Sequence, residues 1–267
     1  MSPRDIPIDV IIRTKNSESL LRQCLESICT EIPVRRIIIV DAGSIDRTNA
    51  ITSSHDNVDF HVKPDLNLGQ ATKFGFSKAQ TEWVAVIDSD IILRKGWFDD
   101  MKKYMNDNDA VEGCRIDHYS FNGCLLTVQI DTTASNYGRF GQTLLKRQPV
   151  LHMDMHVPFG EDTITKFNFE GEGLKWKKVP NFLADHFTKI ESAKHSRTGL
   201  IFRPDPHIIH IPKKVQIQQG LIARKYTPLT KRQVIKQILL PPIYEAYWAF
   251  KKNFWFTLAY FKLIQGV

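Results

Sequence analysis

The chain is poor in cysteine and has no leader-like opening. Four cysteines stand among 267 residues, Cys24, Cys29, Cys114 and Cys124. They are scattered, so neither a disulfide framework nor a zinc site is expected. Buried free thiols in a reducing compartment are the expectation instead. Met1-Ser2-Pro3-Arg4-Asp5 holds no apolar stretch, which argues against a secretory signal. Glycine and proline, at 14 and 13 residues, are not in excess, so most of the chain is expected to be ordered. Neither a GxGxxG loop nor a Walker loop is present, and Arg13-Thr14-Lys15-Asn16 contains no glycine at all. No internal repeat, low-complexity tract or nucleic-acid-binding module is visible, so nucleic acid is not an expected partner.

Charge is present but unevenly placed. The formal net charge is +7. Residues 212–267 hold ten Lys/Arg and a single Glu, so the remainder is slightly acidic. Residues 243–261 add nine aromatics, interrupted by Lys251 and Lys252 and followed by Lys262. The longest uncharged run there, 253–261, is far short of the ~20 residues a membrane-crossing helix needs. Basic residues interleaved with Trp, Phe and Tyr suit an anionic membrane surface. The competing reading is a helical hairpin packed on the main domain. The expected division is a main domain at 1–211 and a basic, aromatic-rich helical extension at 212–267.

Hydrophobic periodicity organises the first ~105 residues as alternating strands and helices. Strands are predicted at 8–13, 34–41, 58–62 and 83–90. Helices are predicted at 17–30, from Ser44 as N-cap to 53, at 69–79 and at 96–105. This alternation predicts an α/β fold with a Rossmann-like, mostly parallel sheet flanked by helices. Strands at 110–119 and 124–131 fit a hairpin. Residues 132–160 read as irregular, 161–169 as a short helix and 176–179 as a short strand.

The run Val84-Ala85-Val86-Ile87 ends abruptly in Asp88-Ser89-Asp90. On a strand, residues i and i+2 share a face, so the two carboxylates can converge at the strand's carboxyl end. Open α/β sheets place their ligands there. Two carboxylates held together call for a cation or a proton between them. Mg²⁺ typically takes one or two carboxylates plus phosphate oxygens.

Four signals now stand in order. Ile39-Val40-Asp41-Ala42-Gly43-Ser44-Ile45-Asp46-Arg47-Thr48 resembles the "VDDGSxDxT" turn of glycosyltransferase family 2. Asn67-Leu68-Gly69 through Gly75 resembles its "NxGxxxxxNxG" segment, Asp88-Ser89-Asp90 its DxD element, and Glu161-Asp162 its later acidic pair. The resemblance covers roughly 8–190 and implies the GT-A fold. It implies that Arg13, Thr14 and Asp41 hold the nucleoside part of a nucleoside-diphosphate sugar. Asp90, with Asp88 directly or through water, would hold Mn²⁺ or Mg²⁺ on the diphosphate. Asp162, paired with Glu161, would supply the general base. Relatives with a metal-binding histidine in this region bring His186 forward as a further ligand.

The chain departs from the family pattern at Ala42, which replaces an acid, and at Lys73, which replaces an Asn and could reach the diphosphate. No "QxxRW" element exists, which favours transfer of a single sugar over processive synthesis. The expected activity is metal-dependent and inverting, with a hydroxyl on a glycan or lipid-linked glycan as acceptor. The expected location is the cytoplasm, peripherally on the cytosolic membrane face. Residues 138–160 are the candidate loop closing over the diphosphate. Two alternatives stand beside this reading: a nucleotidyltransferase on a similar sheet, and a silent nucleotide-sugar-binding scaffold. Each motif also has an ordinary structural meaning. Asp41, Asp88 and Asp90 would serve turns, and Glu161-Asp162 an acidic first turn of a helix. His152, Asp154 and His156 would share one face of a strand. They fit an acceptor loop better than a metal site, since no fourth ligand is evident.

Overall fold

The computed structural model describes residues 6–121, 124–130, 133, 137–157 and 160–189. The expected helical extension at 212–267 and its aromatic segment lie outside the described residues. Among the described residues, no helix is long and apolar enough to cross a membrane.

Strands β1 (Ile8–Thr14), β2 (Val34–Asp41), β3 (Val58–Val62) and β4 (Trp83–Asp88) follow the predicted apolar runs. Helices α1 (Leu21–Glu31), α2 (Thr48–Thr52) and α3 (Leu68–Lys78) connect them. All pairings among these four strands are parallel. Next come β5 (Ile91–Leu93), α4 (Trp97–Met101), a 3-10 turn (Lys102–Tyr104), β6 (Ala110–Phe121) and β7 (Cys124–Ile130). Then follow β8 (Gln142–Lys146), α5 (Arg147–His152), α6 (Glu161–Gly171) and β9 (Trp176–Lys189).

The sheet order is β3-β2-β1-β4-β8-β6-β9-β5, with β7 paired to β6. Beyond β4 the pairings are antiparallel except β6 with β9, so the sheet is mixed rather than mostly parallel. One feature of the path governs the site. β5 follows β4 after only Ser89 and Asp90, yet it pairs with β9 at the other end of the order. The sheet therefore curls until its far edge returns to the acidic turn.

Alternating side chains of the central strands feed two cores. Val10, Ile12, Ile37, Ile39, Ala85 and Ile87 pack against α1 and α4 through Leu25, Ile28, Trp97 and Met101. Ile11, Ile38, Val40, Val84 and Val86 face the other way, against Phe76 of α3, Val150 of α5 and Phe169 of α6.

Several expectations need correction. Helix α1 begins at Leu21, later than expected; ahead of it the amide of Ser17 donates to Thr48 Oγ1 and that of Glu18 to Asp46 Oδ2. Those bonds tie the segment to the loop after β2, and the Leu20 and Leu21 amides close a turn on the Ser17 carbonyl ahead of the helix. Ser44 does not cap α2, since its hydroxyl donates to Asp41 and accepts from the amide of Asn16. Asp90 lies in a turn, not on β4. The stretch read as an irregular, closing loop contains β8, whose Thr143, Leu144 and Leu145 are fully buried between β4 and β6. A strand in that position cannot serve as a lid. β9 runs far past 179 and carries His186 within it. Cys24 and Cys114 are buried, but Cys29 is exposed.

Candidate active site

The carboxyl ends of β1, β2 and β4 converge with the first turn of α6. Arg13, at the end of β1, is the centre of this cluster. Its Nη2 donates to Asp88 Oδ1 at 2.5 Å, and its Nη1 donates to Glu161 Oε1 and, at 3.3 Å, to Thr72 Oγ1. The Arg13 side chain is 9% exposed and that of Glu161 is 4% exposed. Burial would lower the Arg13 pKa, but the two carboxylates outweigh it and raise it. Burial likewise works to raise the Asp88 pKa, and the Arg13 pairing reverses that to a net lowering. Glu161 responds the other way: burial pushes its pKa up to about 7, against the pull of Arg13. Arg13 is thus a strut between two carboxylates. Its buried Nε has no hydrogen-bond partner among the described residues.

Asp162 follows Glu161 at the start of α6. The amide of Thr163 donates to its Oδ1 at 2.6 Å. Burial raises its pKa, and the charge of Asp88 adds to the rise. Burial also lowers the pKa of Arg139, which lies within electrostatic reach of Asp162, Asp117 and Arg115. Thr163 Oγ1 donates to the carbonyl of Gly138, and Lys178 Nζ donates to that of Tyr137, so the strand-leading segment is anchored beside α6.

Asp41 is buried, and its carboxylate accepts four bonds: from the hydroxyls of Thr14 and Ser44 and from the amides of Gly43 and Ser44. A carboxylate offers about four acceptor sites, so Asp41 and Thr14 are spent on each other and on the turn. Lys73 Nζ donates to the carbonyl of Met153 at 2.6 Å and pins α3 to the segment before α6. That segment lies close: a Cβ on Gly69 would stand 2.3 Å from the Met155 carbonyl oxygen. This close approach is the reason for glycine there. Exposed His152, Asp154 and His156 alternate with buried Met153, Met155 and Val157, and His156 bonds to Gln70.

The curl of the sheet builds the rest. β9 places His186 opposite Ile91 of β5 and beside Asp117 of β6. The Phe187 amide donates to the Asp90 carbonyl at 3.1 Å. His186 Nε2 lies 3.3 Å from Asp90 Oδ2, and Nδ1 lies 3.1 Å from Asp117 Oδ1. Burial would lower the His186 pKa, but the hydrogen bonds to Asp117 and Asp90 raise it to about 9. Burial works to raise the Asp117 pKa, and His186 and Arg115 bring it down to about 2. Ser17 Oγ meets Ser89 Oγ at 2.8 Å, holding the acidic turn to the segment before α1.

Among the described residues, no group of three His, Cys, Asp or Glu side chains stands ready as a metal site. Asp88 Oδ1 is committed to Arg13, whereas Asp90 is 41% exposed and faces His186. A carboxylate and an imidazole fit a cation that completes its shell from phosphate and water. The predicted residues therefore fall into two linked groups: Arg13, Asp88, Glu161 and Asp162, then Asp90 with His186. Thr14, Asp41 and Lys73 are engaged elsewhere. Sequence reasoning missed Asp117, Arg115 and Arg139. A signal existed for the first two: charged residues interrupting a strand whose Val111, Cys114 and Ile116 are buried.

The profile described as Glycosyl transferase family 2 matches residues 9–159. The lipopolysaccharide core biosynthesis glycosyltransferase LpsC of Rhizobium meliloti is 27% identical over 117 residues, 42% of each chain. Glycosyltransferase GlyG of Streptococcus pneumoniae serotype 4 is 27% identical over 109 residues, 39% of this chain and 36% of that one. The match spans less than half the length of either relative. S. aureus TarS, solved in complex with UDP-GlcNAc, superposes with a TM-score of 0.62 at 14% identity, covering 95% of this chain and 81% of that one. Glucosyl-3-phosphoglycerate synthase from Mycobacterium tuberculosis, solved with Mn²⁺, UDP and glucosyl-3-phosphoglycerate, gives 0.57 at 14% identity, covering 85% and 82%. At such identities the likeness to solved structures is one of fold, a sheet flanked by helices as in this chain.

Proposed function

The chain belongs to glycosyl transferase family 2, and from that premise we propose that it transfers one sugar from a nucleoside-diphosphate donor to an acceptor hydroxyl, with inversion at the anomeric carbon. The observation that carries this reading is the continuous link from Glu161, the neighbour of Asp162, through Arg13 to Asp88 and its acidic turn. It sets a candidate base and a candidate leaving-group site at two ends of a network whose middle, Arg13 and Glu161, is buried.

Asp162 is the base. One oxygen is held by the Thr163 amide, which leaves the other for the acceptor proton. Its raised pKa makes it a stronger base than an ordinary aspartate. As the acceptor oxygen bonds to the anomeric carbon, the bond to the diphosphate oxygen breaks and the proton passes to Asp162. A single displacement inverts the centre. Glu161 does not share the base role, because Arg13 holds it; it sets the position of the first turn of α6. Asp90 and His186 would hold Mn²⁺ or Mg²⁺, which stabilises charge on the departing diphosphate when bound. The solved neighbours with UDP, UDP-GlcNAc and Mn²⁺ support a uridine-diphosphate donor and a divalent cation. The relative named for lipopolysaccharide core biosynthesis supports a glycan or lipid-linked acceptor.

Asp162→Asn tests the reading. Calorimetry with UDP and Mn²⁺ should show wild-type affinity, while sugar transfer drops ~10²-fold or more, as for loss of a general base. Unchanged transfer would remove Asp162 from the base role.

A further inference from the structure

Asp117 has no part in the motifs that first marked the site, yet it lies against His186, one of the two candidate metal ligands. It is 3% exposed and sits on β6, next to His186 in the parallel β6–β9 register. Its Oδ1 is 3.1 Å from His186 Nδ1. Arg115 Nε donates to the same oxygen at 2.7 Å and fixes the carboxylate from the other side. A carboxylate can only accept here, so Nδ1 must carry a hydrogen. The imidazole is then oriented with Nε2 toward Asp90, 3.3 Å away. Histidines that bind metals commonly donate their second ring N–H to a carboxylate, which sets both ring orientation and tautomer.

We propose that Asp117 is a positioning residue for a divalent cation: it holds His186 by Nδ1 so that Nε2, together with Asp90, is presented to the metal. Arg115 supports it by keeping the carboxylate in place. This rests on the cation reading given above, and the experiment separates the two.

The probe is Mn²⁺ titrated in the presence of UDP, with free Mn²⁺ read by electron paramagnetic resonance. Asp117→Ala should weaken Mn²⁺ binding about 10- to 100-fold, the usual effect of losing an outer carboxylate. UDP binding without metal should not change. Asp117→Asn should recover part of the affinity, since its carboxamide oxygen still accepts from Nδ1–H. His186→Ala should weaken Mn²⁺ at least as much. If His186→Ala weakens Mn²⁺ but Asp117→Ala binds it like wild type, the inference is overturned and the cation reading stands. If His186→Ala has no effect, the cation reading itself falls. Nitrogen-15 spectra of the wild-type protein with Mg²⁺ and UDP provide a check that needs no variant. His186 should carry its hydrogen on Nδ1 and none on Nε2, and the opposite tautomer overturns the proposal.

Discussion

β1 carries a buried ion pair at each end, and the two are built differently. At the amino end, Asp9 is fully buried and accepts from Arg35 Nε and Nη2, each at 2.8 Å, and from the amides of Gln80 and Thr81. A further bond runs from its own amide to Thr81 Oγ1. Four residues along, Arg13 bridges Asp88 and Glu161, with its Nε left without a partner among the described residues. Burial works to raise the pKa of Asp9, but its bonds bring it down. Glu161 remains pushed up to about 7 despite Arg13. One end is a saturated lock. The other keeps unspent capacity, which a fold tolerates where the arrangement has chemistry to perform.

The sharpest way to break that contrast is Arg13→Ala. It strands two buried carboxylates, so unfolding by urea should show a loss of about 3–5 kcal/mol, and transfer should vanish with it. An Arg13→Ala protein that transfers sugar at the wild-type rate would end its role as a strut. Asp9→Asn comes next. One acceptor oxygen and the charge partner of Arg35 are lost, so about 2–3 kcal/mol of stability should go. The folded fraction should still bind UDP and Mn²⁺ as before, because the site lies at the opposite end of the strand. A weakened UDP affinity in that fraction would erase the contrast between the two ends.

The smallest effect is a pair of opposed pH slopes. The pKa of Asp9 is lowered on folding, so its contribution is present above the ordinary aspartate range and is lost as pH falls through the folded value. Glu161 is raised on folding to about 7, so stability drains away as pH rises from the ordinary glutamate range toward 7 and then levels off. Urea midpoints across pH 3 to 8, roughly the interval spanned by these groups, should fall on the acid side less steeply in Asp9→Asn. On the neutral side, Glu161→Gln should make the fall shallower. Asp162 and His186, whose pKa values are also raised on folding, supply the slope that remains, and a Glu161→Gln curve as steep as that of the wild type would remove Glu161 from the account.

Much of this was legible in the chain. The cores of β1, β2 and β4 are buried on both faces, and continuous apolar runs such as Val84–Ile87 are how such strands read. Asp88-Ser89-Asp90 and Glu161-Asp162 were visible because acids that end apolar segments are conspicuous. What stayed hidden depends on pairing between distant segments. β8 begins with buried Gln142 and Thr143, which look like loop residues until β4 and β6 enclose them. Asp117 gains its meaning only from the β6–β9 register, which shifts near Gly113 and Cys114. No local rule forecasts such a shift. Asp41 was found, but its occupation by Thr14, Gly43 and Ser44 was not. A motif tells which residue is present, not how many of its lone pairs are already used.

The two-residue link between β4 and β5 works as a clasp. Ser89 and Asp90 alone join β4, in the middle of the sheet, to the edge strand β5, which the sheet reaches only by way of β8, β6 and β9. Strand faces alternate with every residue, so adding or removing one residue in the clasp would turn Ile91 and Leu93 out of the core. The Phe187–Asp90 tie would then break, and His186 would lose its place across from the acids. The chain can drift in composition at this point far more readily than in length.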